Sequence, residues 1–218
     1  MKKTLLAAAL ASAVAAPAFA QTAPAQSPWQ IRVRAVNLGF ENKSEAGSGI
    51  LTPAQLPSNA VRANDKTIPE VDITYFFTKN IAAELVLTVP QRHRVNIVNG
   101  PLAEGIGSFK HLPPTLLLQY HFLPDAQFRP YIGAGINYTK ISSVNLFSNI
   151  AGQRLTLDGS SMGASFQVGM DIPITRNVLF NVDVKKTYID TDIKINGGKV
   201  SKLELNPLMV GVGLGYRF

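Results

Sequence analysis

The sequence predicts an all-β chain that forms an eight-stranded antiparallel transmembrane β-barrel, with short periplasmic turns and long extracellular loops. Beyond Trp29 the apolar residues recur with a period of two, as in strands, and a helical period of 3.6 residues competes with it almost nowhere. Several alternating runs reach ten residues or more, which exceeds the usual strand length in soluble sheets. The chain also opens with an export signal and contains no cysteine.

The first twenty residues, "MKKTLLAAALASAVAAPAFA", predict a cleaved secretory signal peptide. A basic start is followed by an apolar stretch over residues 5–16 and by a small-x-small cleavage site. We expect the cut between Ala20 and Gln21. A retained membrane helix needs about 20 consecutive apolar residues, and Pro17 with the polar stretch behind it argues against one.

The remaining chain is divided into a periplasmic linker over residues 21–28 and the barrel over residues 29–218. Cleavage lowers the formal net charge of +7 by two lysines, and the modest excess that remains is not clustered. Without a basic cluster or interleaved aromatic platform, we expect no nucleic-acid partner. The absence of cysteine excludes disulfides and thiolate metal sites, and no cofactor is predicted.

The predicted strands lie near residues 29–40, 67–77, 80–95, 109–122, 128–141, 161–173, 178–192 and 199–218. Tight turns at 79–80, 124–127 and 175–177 alternate with long Gly-, Ser-, Asn- and Pro-rich connections at 41–66, 99–108 and 142–160, while 196–198 is a short turn on the long-loop side. An even strand number with short turns at one end and long loops at the other is typical of bacterial outer-membrane barrels.

A soluble eight-stranded barrel, such as a lipocalin, also alternates, so the direction of the apolar face decides between the two. The face opposite the apolar one carries charges and bare glycines, for example Gly211, Gly213 and Gly215. That face would make a poor water-exposed exterior, but small residues suit a narrow lumen. Aromatic residues at the short-turn ends form a predicted interfacial girdle, and they are Trp29, Tyr75, Phe77, Tyr120, Phe122, Phe128, Tyr131, Phe180, Tyr216 and Phe218.

The inward-facing charges gather near the periplasmic end of the predicted lumen. They are Arg32, Arg34, Asp72, Glu84, Asp171, Asp183, Lys185 and Arg217. We expect these four basic and four acidic groups to pair, because an unpaired charge in a narrow lumen is costly. A salt-bridged layer that rigidifies the barrel is favoured over an ion pathway, and a wide pore to the periplasm is not expected.

Three prolines interrupt the third and fourth predicted strands, Pro90 in "LTVPQRH" and Pro113 and Pro114 in "HLPPTLLL". Counting outward from the intervening loop places them nearly opposite each other. Proline lacks the N–H that a strand ladder needs, so the wall is expected to be unzipped locally. The interruption is either a bulge at the rim or a lateral opening through which an apolar solute leaves the lumen.

His93 and His111 flank these prolines, but two imidazoles without a nearby carboxylate are a weak metal signal. Side chains that hydrogen-bond the loops are the favoured interpretation, and no metal site is predicted. Ser108 near His111 lacks an obvious third partner and no nucleophile elbow is present. We therefore expect no enzymatic activity, and a lipid-modifying barrel enzyme is the least favoured hypothesis.

With these segments identified, the chain resembles the OmpW family of eight-stranded outer-membrane proteins. The resemblance is densest in "TVPQRHRV", "HLPPTLLLQYHF", "FRPYIGAGINYTKI", "YIDTDIK" and "LNPLMVGVGLGYRF". It implies a narrow barrel in the outer membrane of a Gram-negative bacterium, with a hydrophobic upper channel that is closed toward the periplasm. It further implies passive uptake of small apolar molecules, with lateral exit through the wall near the prolines.

The resemblance also implies partners. They are outer-membrane lipid and lipopolysaccharide, a small apolar solute, and the outer-membrane assembly machinery, for which the terminal aromatics Tyr216 and Phe218 resemble the recognised ending. The leading hypothesis is thus a passive channel for small hydrophobic compounds. The alternative is a structural or adhesive barrel that acts through its extracellular loops.

Overall fold

The computed structural model describes residues 27–148 and 152–218, so the predicted signal peptide and its cleavage site lie outside the described residues. None of the described residues belongs to a helix long and apolar enough to cross a membrane. The strands are β1 (Trp29–Gly39), β2 (Lys43–Ser44), β3 (Val61–Ala63), β4 (Lys66–Phe76), β5 (Ile81–Thr88), β6 (Gln91–Ile97), β7 (Glu104–Leu112), β8 (Thr115–His121), β9 (Arg129–Ser148), β10 (Gln153–Leu157), β11 (Ser160–Pro173), β12 (Val178–Thr187), β13 (Asp190–Ile195), β14 (Gly198–Glu204) and β15 (Leu208–Arg217).

Eight of these strands close into an antiparallel barrel, which we call the membrane section. Its order around the wall is β1, β4, β5, β8, β9, β11, β12 and β15, and β15 pairs with β1 to close the cylinder. The closing ladder runs from Gln30 opposite Arg217 to Gly39 opposite Leu208. The predicted fold class is confirmed.

The remaining strands continue the wall beyond the membrane section, and we call this part the extracellular section. It consists of β3, β6, β7, the outer half of β9, β10, β13, β14 and β2, in that order. Ser44 Oγ accepts a hydrogen bond from the Val61 amide at 3.2 Å and so ties β2 to β3. The predicted loops 41–66 and 142–160 therefore contain strands, because their short apolar alternations find long-range partners.

Four predicted continuous strands are in fact broken in two. The predictions for 80–95, 109–122, 178–192 and 199–218 are wrong in this respect, because breaks fall at Val89–Pro90, Pro113–Pro114, Tyr188–Ile189 and residues 205–207. Pro207 is a fourth proline at this level. Prolines account for three of the four breaks, because each removes an N–H from the ladder, whereas the break at Tyr188–Ile189 contains no proline. The four breaks mark the boundary between the two sections.

The two sections have opposite polarity. In the membrane section, Leu118 and Val168 face outward with about 60% of their surface exposed, whereas Arg32 and Gln119 are buried inside. In the extracellular section, residues such as Phe109, Leu146 and Leu203 are buried inside, while the outward face carries exposed polar residues. Lipid is the solvent for the first wall and water for the second.

Aromatic side chains border the short-turn end of the membrane section, as predicted. Trp29 and Tyr75 lie with ring centroids 4.9 Å apart, and Tyr120 and Phe122 with centroids 5.1 Å apart. Tyr216 and Phe218 form a similar pair at 5.1 Å, and all but the half-buried Tyr75 keep about half of their surface exposed. A ring of this kind is typical of a membrane–water interface. Tyr131 is the exception, because its side chain is buried in the lumen.

The glycines of β15 allow a close approach that a side chain would block. A Cβ added at Gly213 would collide with the Val33 carbonyl oxygen and lie 2.8 Å from Arg34 Cγ. The neighbouring atoms belong to the β1 backbone and to the buried Arg34 side chain, so a shift that makes room for a methyl group would be costly in free energy.

We expect Gly213→Ala to destabilise the barrel by about 3 kcal/mol, the upper end of the cost of overpacking. The measurement is urea unfolding in lipid, followed by the fluorescence of Trp29, the single tryptophan of the sequence. Gly159→Ala is the matched control, because nothing lies within 4 Å of a Cβ added there. Equal unfolding midpoints for the two variants would contradict the steric account.

Candidate functional site in the barrel lumen

The lumen of the membrane section is filled by a cluster of buried charged side chains, which we call the charge cluster. Its members are Arg32, Arg34, Glu70, Asp72, Glu84, Asp171, Asp183 and Lys185, each no more than 4% exposed. Period-two alternation directs all of them inward from β1, β4, β5, β11 and β12. The cluster thus joins most of the barrel strands through side chains as well as through the backbone.

Arg32 stands near the centre of the charge cluster. Its Nη1 atom lies 2.5 Å from Glu84 Oε2, and its Nη2 atom lies 2.6 Å from Asp171 Oδ2. Arg32 Nη1 also donates to Thr74 Oγ1 at 2.9 Å. One guanidinium therefore connects β1 with the consecutive strands β4 and β5 and with β11, which lies three strands away in the other direction around the wall.

Arg34, one pleat further from the periplasm, serves a second group of carboxylates. Its Nη2 atom lies 2.7 Å from Asp72 Oδ2 and 2.9 Å from Glu70 Oε1, and its Nη1 atom lies 3.3 Å from Asp183 Oδ1. Lys185 Nζ adds a contact of 3.3 Å to Glu70 Oε1. Three basic groups are thus placed among five carboxylates.

The last strand makes space for the two arginines. Gly215 of β15 is the cross-strand partner of Arg32, and Gly213 is the partner of Arg34. A Cβ at Gly215 would lie 3.2 Å from Arg32 Cγ. The glycine face of the C-terminal strand therefore complements two long side chains on its neighbour.

The membership of the cluster differs from the prediction at two residues. Glu70 belongs to it although it was not predicted, and its inward position on β4 was the available signal. Arg217 lies apart: its guanidinium carbon is 3.9 Å from the centre of the Phe76 ring, and its Nε donates to the Ser27 carbonyl oxygen at 3.3 Å. Arg217 is the last residue of β15 and therefore lies closer to the periplasmic end of the lumen than the ion pairs do.

The predicted prolines lie across from each other in the wall. We call this place, where Val89–Pro90 faces Pro113–Pro114, the proline seam. The β5–β8 ladder ends at Val86 opposite Thr115, and the β6–β7 ladder begins at Gln91 opposite His111. Among the described residues, no hydrogen bond joins the two sides of the seam. On the far side, Asn137 Nδ2 donates to the carbonyl oxygens of Pro113 and Pro114 at 3.1 and 3.2 Å.

The break at Pro207 is bridged, in contrast to the proline seam. The Thr187 amide donates to the Pro207 carbonyl oxygen at 3.2 Å, and the Leu205 amide donates to the Ile189 carbonyl oxygen at 2.9 Å. Lys186 Nζ also donates to the Asn206 carbonyl oxygen at 2.6 Å. This break was not predicted, although Pro207 in "LNPLM" was the available signal. Of the two breaks, the proline seam has the weaker connections.

An internal cavity of ≈ 10 Å³ lies between the charge cluster and the apolar interior of the extracellular section. Its volume is near the minimum that a single water molecule requires. Thr88 and Pro113 line it on the side of the seam, and Lys185 and Met209 line it elsewhere. This cavity therefore lies beside the proline seam, between the charge cluster and the apolar interior.

His93 and His111 lie just above the seam with ring centroids 4.8 Å apart and are fully buried. His93 Nδ1 lies 2.9 Å from the Asn64 carbonyl oxygen, so Nδ1 carries the proton and donates it to the loop before β4. Across residues 27–148 and 152–218, no group of three or more metal-ligating side chains is assembled. The geometry supports a structural contact between the histidine and the loop.

The comparison with known families and structures agrees with this architecture. The model of the OmpW family matches residues 30–218. The chain belongs to the OmpW family. It is 37% identical over 216 residues to the "Uncharacterized outer-membrane protein y4mB" of Sinorhizobium fredii, which covers 97% of this chain and 89% of the relative.

Two further proteins extend the comparison. The "Dibenzothiophene metabolism operon protein PahQ" of Pseudomonas aeruginosa is 24% identical over 209 residues, covering 94% of this chain and 93% of the relative. The crystal structure of the outer membrane protein OprG from Pseudomonas aeruginosa superposes with a TM-score of 0.75 at 29% identity, covering 88% of this chain and 97% of that one. Family membership places the chain in the outer membrane of a Gram-negative bacterium.

The charge cluster yields a stability prediction. Arg32→Leu removes one guanidinium and leaves Glu84 and Asp171 buried without their partner. We expect the free energy of unfolding in lipid to fall by about 3–5 kcal/mol, as when one member of a buried ion pair is removed.

Lys79→Ala is the control for this prediction, because the Lys79–Asp125 pair at 3.0 Å is solvent-exposed. Its loss should change the free energy of unfolding by less than about 1 kcal/mol. If Arg32→Leu lowered the free energy of unfolding by as little as Lys79→Ala does, the charge cluster would not stabilise the barrel.

Proposed function

We propose that the protein is a passive route for small hydrophobic molecules across the outer membrane. The observation that supports this most strongly is the apolar interior of the extracellular section, placed directly above a charged floor. Residues such as Phe109, Leu146 and Ile193 line that interior. A hydrophobic solute is stabilised among such side chains, whereas an ion or sugar would lose its hydration there.

In this proposal the solute leaves sideways rather than downward. The charge cluster blocks the straight path, because moving its ion pairs apart would leave buried charges uncompensated. The proline seam lies immediately above the cluster, and its parting breaks no hydrogen bond between its two sides. The residues around it on the lipid side, Val89 and Leu116, are 58% and 49% exposed.

Entry from outside requires the first extracellular loop to move. Leu51 and Leu56 of that loop are buried among the apolar residues of the extracellular section. Backbone hydrogen bonds hold the loop in place, from the Gly47 amide to the Leu56 carbonyl oxygen at 2.7 Å and from the Ser48 amide to the Val200 carbonyl oxygen at 2.8 Å. A solute would take the place of these leucines, so the packed arrangement is the resting state of the route.

The name of one relative supports an aromatic solute. PahQ is named for an operon of dibenzothiophene metabolism, and dibenzothiophene is an apolar fused-ring compound. A flat solute of this class could pass a narrow slit in the wall.

A second function, a structural or adhesive barrel that acts through its loops, is favoured by one observation. The cavity between the charge cluster and the apolar interior has a volume of only ≈ 10 Å³. Under this alternative the apolar interior stabilises the extracellular section, and no solute passes.

Cross-linking the proline seam distinguishes the two functions. Thr88→Cys with Pro113→Cys places two thiols on residues that line the same cavity, in a chain without other cysteines. With the disulfide formed, we expect uptake of naphthalene by intact cells to fall to that of cells lacking the protein, and to recover on reduction.

The control pair, Ala83→Cys with Leu118→Cys, joins cross-strand partners in the intact part of the same β5–β8 ladder. Its oxidation should leave naphthalene uptake unchanged. If the seam disulfide forms and uptake continues at the wild-type rate, lateral exit is wrong. If the wild-type protein itself gives no uptake above background, the structural alternative replaces the transport proposal.

A further inference from the structure

The charged residues on the outside of the extracellular section are distributed unequally around the wall. On one side, each lysine of β2, β13 and β14 has an acidic partner. Lys199 Nζ lies 3.0 Å from Asp192 Oδ1, and Lys202 Nζ lies 2.5 Å from Asp190 Oδ2. The hydrogen bond from Lys202 lowers the pKa of Asp190, so that pair is ionised at neutral pH. We call Lys43, Lys194, Lys199 and Lys202 the paired face.

The opposite side carries basic residues without acidic partners. We call Arg92, Arg94, Lys110 and Lys140, which project from β6, β7 and β9, the basic face. No ion pair involves any of them in the described part of the chain, 27–148 and 152–218. Strands β6 and β9 contain no Asp or Glu, and Glu104 of β7 already accepts a hydrogen bond from Ser148.

Repulsion among the like charges of the basic face also destabilises the folded protein. Arg92 lies directly opposite Lys110 in the β6–β7 ladder, and like charges in such a position destabilise a sheet. Arg94 follows on the same side of β6, and Lys140 of β9 is the partner of Leu112, next but one to Lys110. An arrangement that costs stability in the free protein is relieved when an anion binds to it.

The position of the basic face identifies the source of the anion. Lys140 is the next outward residue of β9 after Tyr138, which is half exposed on the lipid-facing wall, and two residues of strand span about 7 Å. Arg92 likewise follows the lipid-exposed Val89. The basic face therefore lies at the level of the lipid headgroups on the extracellular side.

The wall beneath the basic face offers room for hydrocarbon chains. A groove of ≈ 640 Å³ crosses the lipid-facing side of β8, β9 and β11, where the small side chain of Ala134 lies between Leu118 and Phe166. Ala134 and Lys140 are on the same outward face of β9, about 20 Å apart along the strand. A molecule with phosphates at its head and acyl chains below would contact both regions.

We propose that the basic face and this groove together bind a phosphorylated glycolipid of the outer leaflet. Cross-strand neighbours lie about 5 Å apart and alternate residues of one strand about 7 Å apart, so the four cations cover an area that fits more than one phosphate group. The two arginines donate paired hydrogen bonds to phosphate oxygens, and the lysines add charge. The acyl chains of the same molecule occupy the groove over β9.

The test compares two variants that lose the same charge. Arg92→Gln/Arg94→Gln/Lys110→Gln/Lys140→Gln removes the basic face, and Lys43→Gln/Lys194→Gln/Lys199→Gln/Lys202→Gln removes the paired face. Each full-length barrel is placed in phosphatidylcholine nanodiscs, and binding of diphosphorylated lipid A, enzymatically dephosphorylated lipid A and phosphatidylglycerol is measured. We expect the basic-face variant to lose affinity for diphosphorylated lipid A by at least about tenfold, the equivalent of one charge-assisted hydrogen bond.

The paired-face variant should bind diphosphorylated lipid A like the wild type, and dephosphorylated lipid A should bind the wild type more weakly. Equal losses in the two variants would reduce the effect to net charge and overturn the proposal. Wild-type binding of phosphatidylglycerol as tight as that of lipid A would likewise overturn it, in favour of a general anionic surface. If the fourfold basic-face variant does not form the folded barrel, Lys140→Gln against Lys199→Gln gives the same comparison. None of these outcomes depends on solute uptake.

Discussion

The rest of the structure depends on the ion pairs of Arg32 and Arg34 inside the membrane section. In lipid, the outer face of each strand is apolar, so the charged side chains of the cluster are directed into one narrow lumen. There the two guanidiniums contact carboxylates from four other strands at 2.5–3.3 Å. Gly213 and Gly215 of β15 make this arrangement possible, because a side chain at either position would occupy space that Arg34 or Arg32 fills.

In the proposed function, the same cluster decides by which route a solute leaves the barrel. In that proposal, a solute moving straight down would have to separate buried charges, which is far more costly than parting Val89–Pro90 from Pro113–Pro114, between which the described residues form no hydrogen bond. The prolines lie where the wall changes from lipid-facing to water-facing and where its polarity inverts. The strand breaks thus coincide with the change from lipid to water outside the wall. At one of these breaks, the proline seam, the wall is weakly joined directly above the charge cluster.

The extracellular section extends this logic into water. Its inside is apolar and its outside is charged, as in a water-soluble β-protein. The membrane section below it has the opposite polarity. Along one side its lysines are neutralised by neighbouring carboxylates, whereas along the other side, above the groove at Ala134, the cations form no ion pair with any residue that the structure describes. One barrel therefore combines an apolar interior with an outer basic surface at the level of the surrounding lipid.

Period-two alternation was sufficient to predict the eight-stranded barrel, the direction of its faces, the aromatic girdle and seven of the eight members of the charge cluster. It placed Pro90 opposite Pro113 and Pro114, because a hairpin fixes the register of its own strands. It could not find β2, β3 and β10, whose pairing is long-range and whose alternation spans only a few residues. Nor could it separate Arg217 from the cluster, because the contact with Phe76 depends on the height at which the strand ends. Whether the prolines form an exit is a question of function that strand patterns do not address.

The most direct test of the closed floor and the lateral seam is thiol labelling of a single cysteine at Met209, which lines the cavity above the charge cluster. Met209→Cys would be the sole cysteine of the chain. In proteoliposomes, a small apolar maleimide dissolved in the bilayer should label it, and a charged, membrane-impermeant maleimide supplied from the periplasmic side should not. Labelling by the charged reagent, or its absence with the apolar one, would contradict the account.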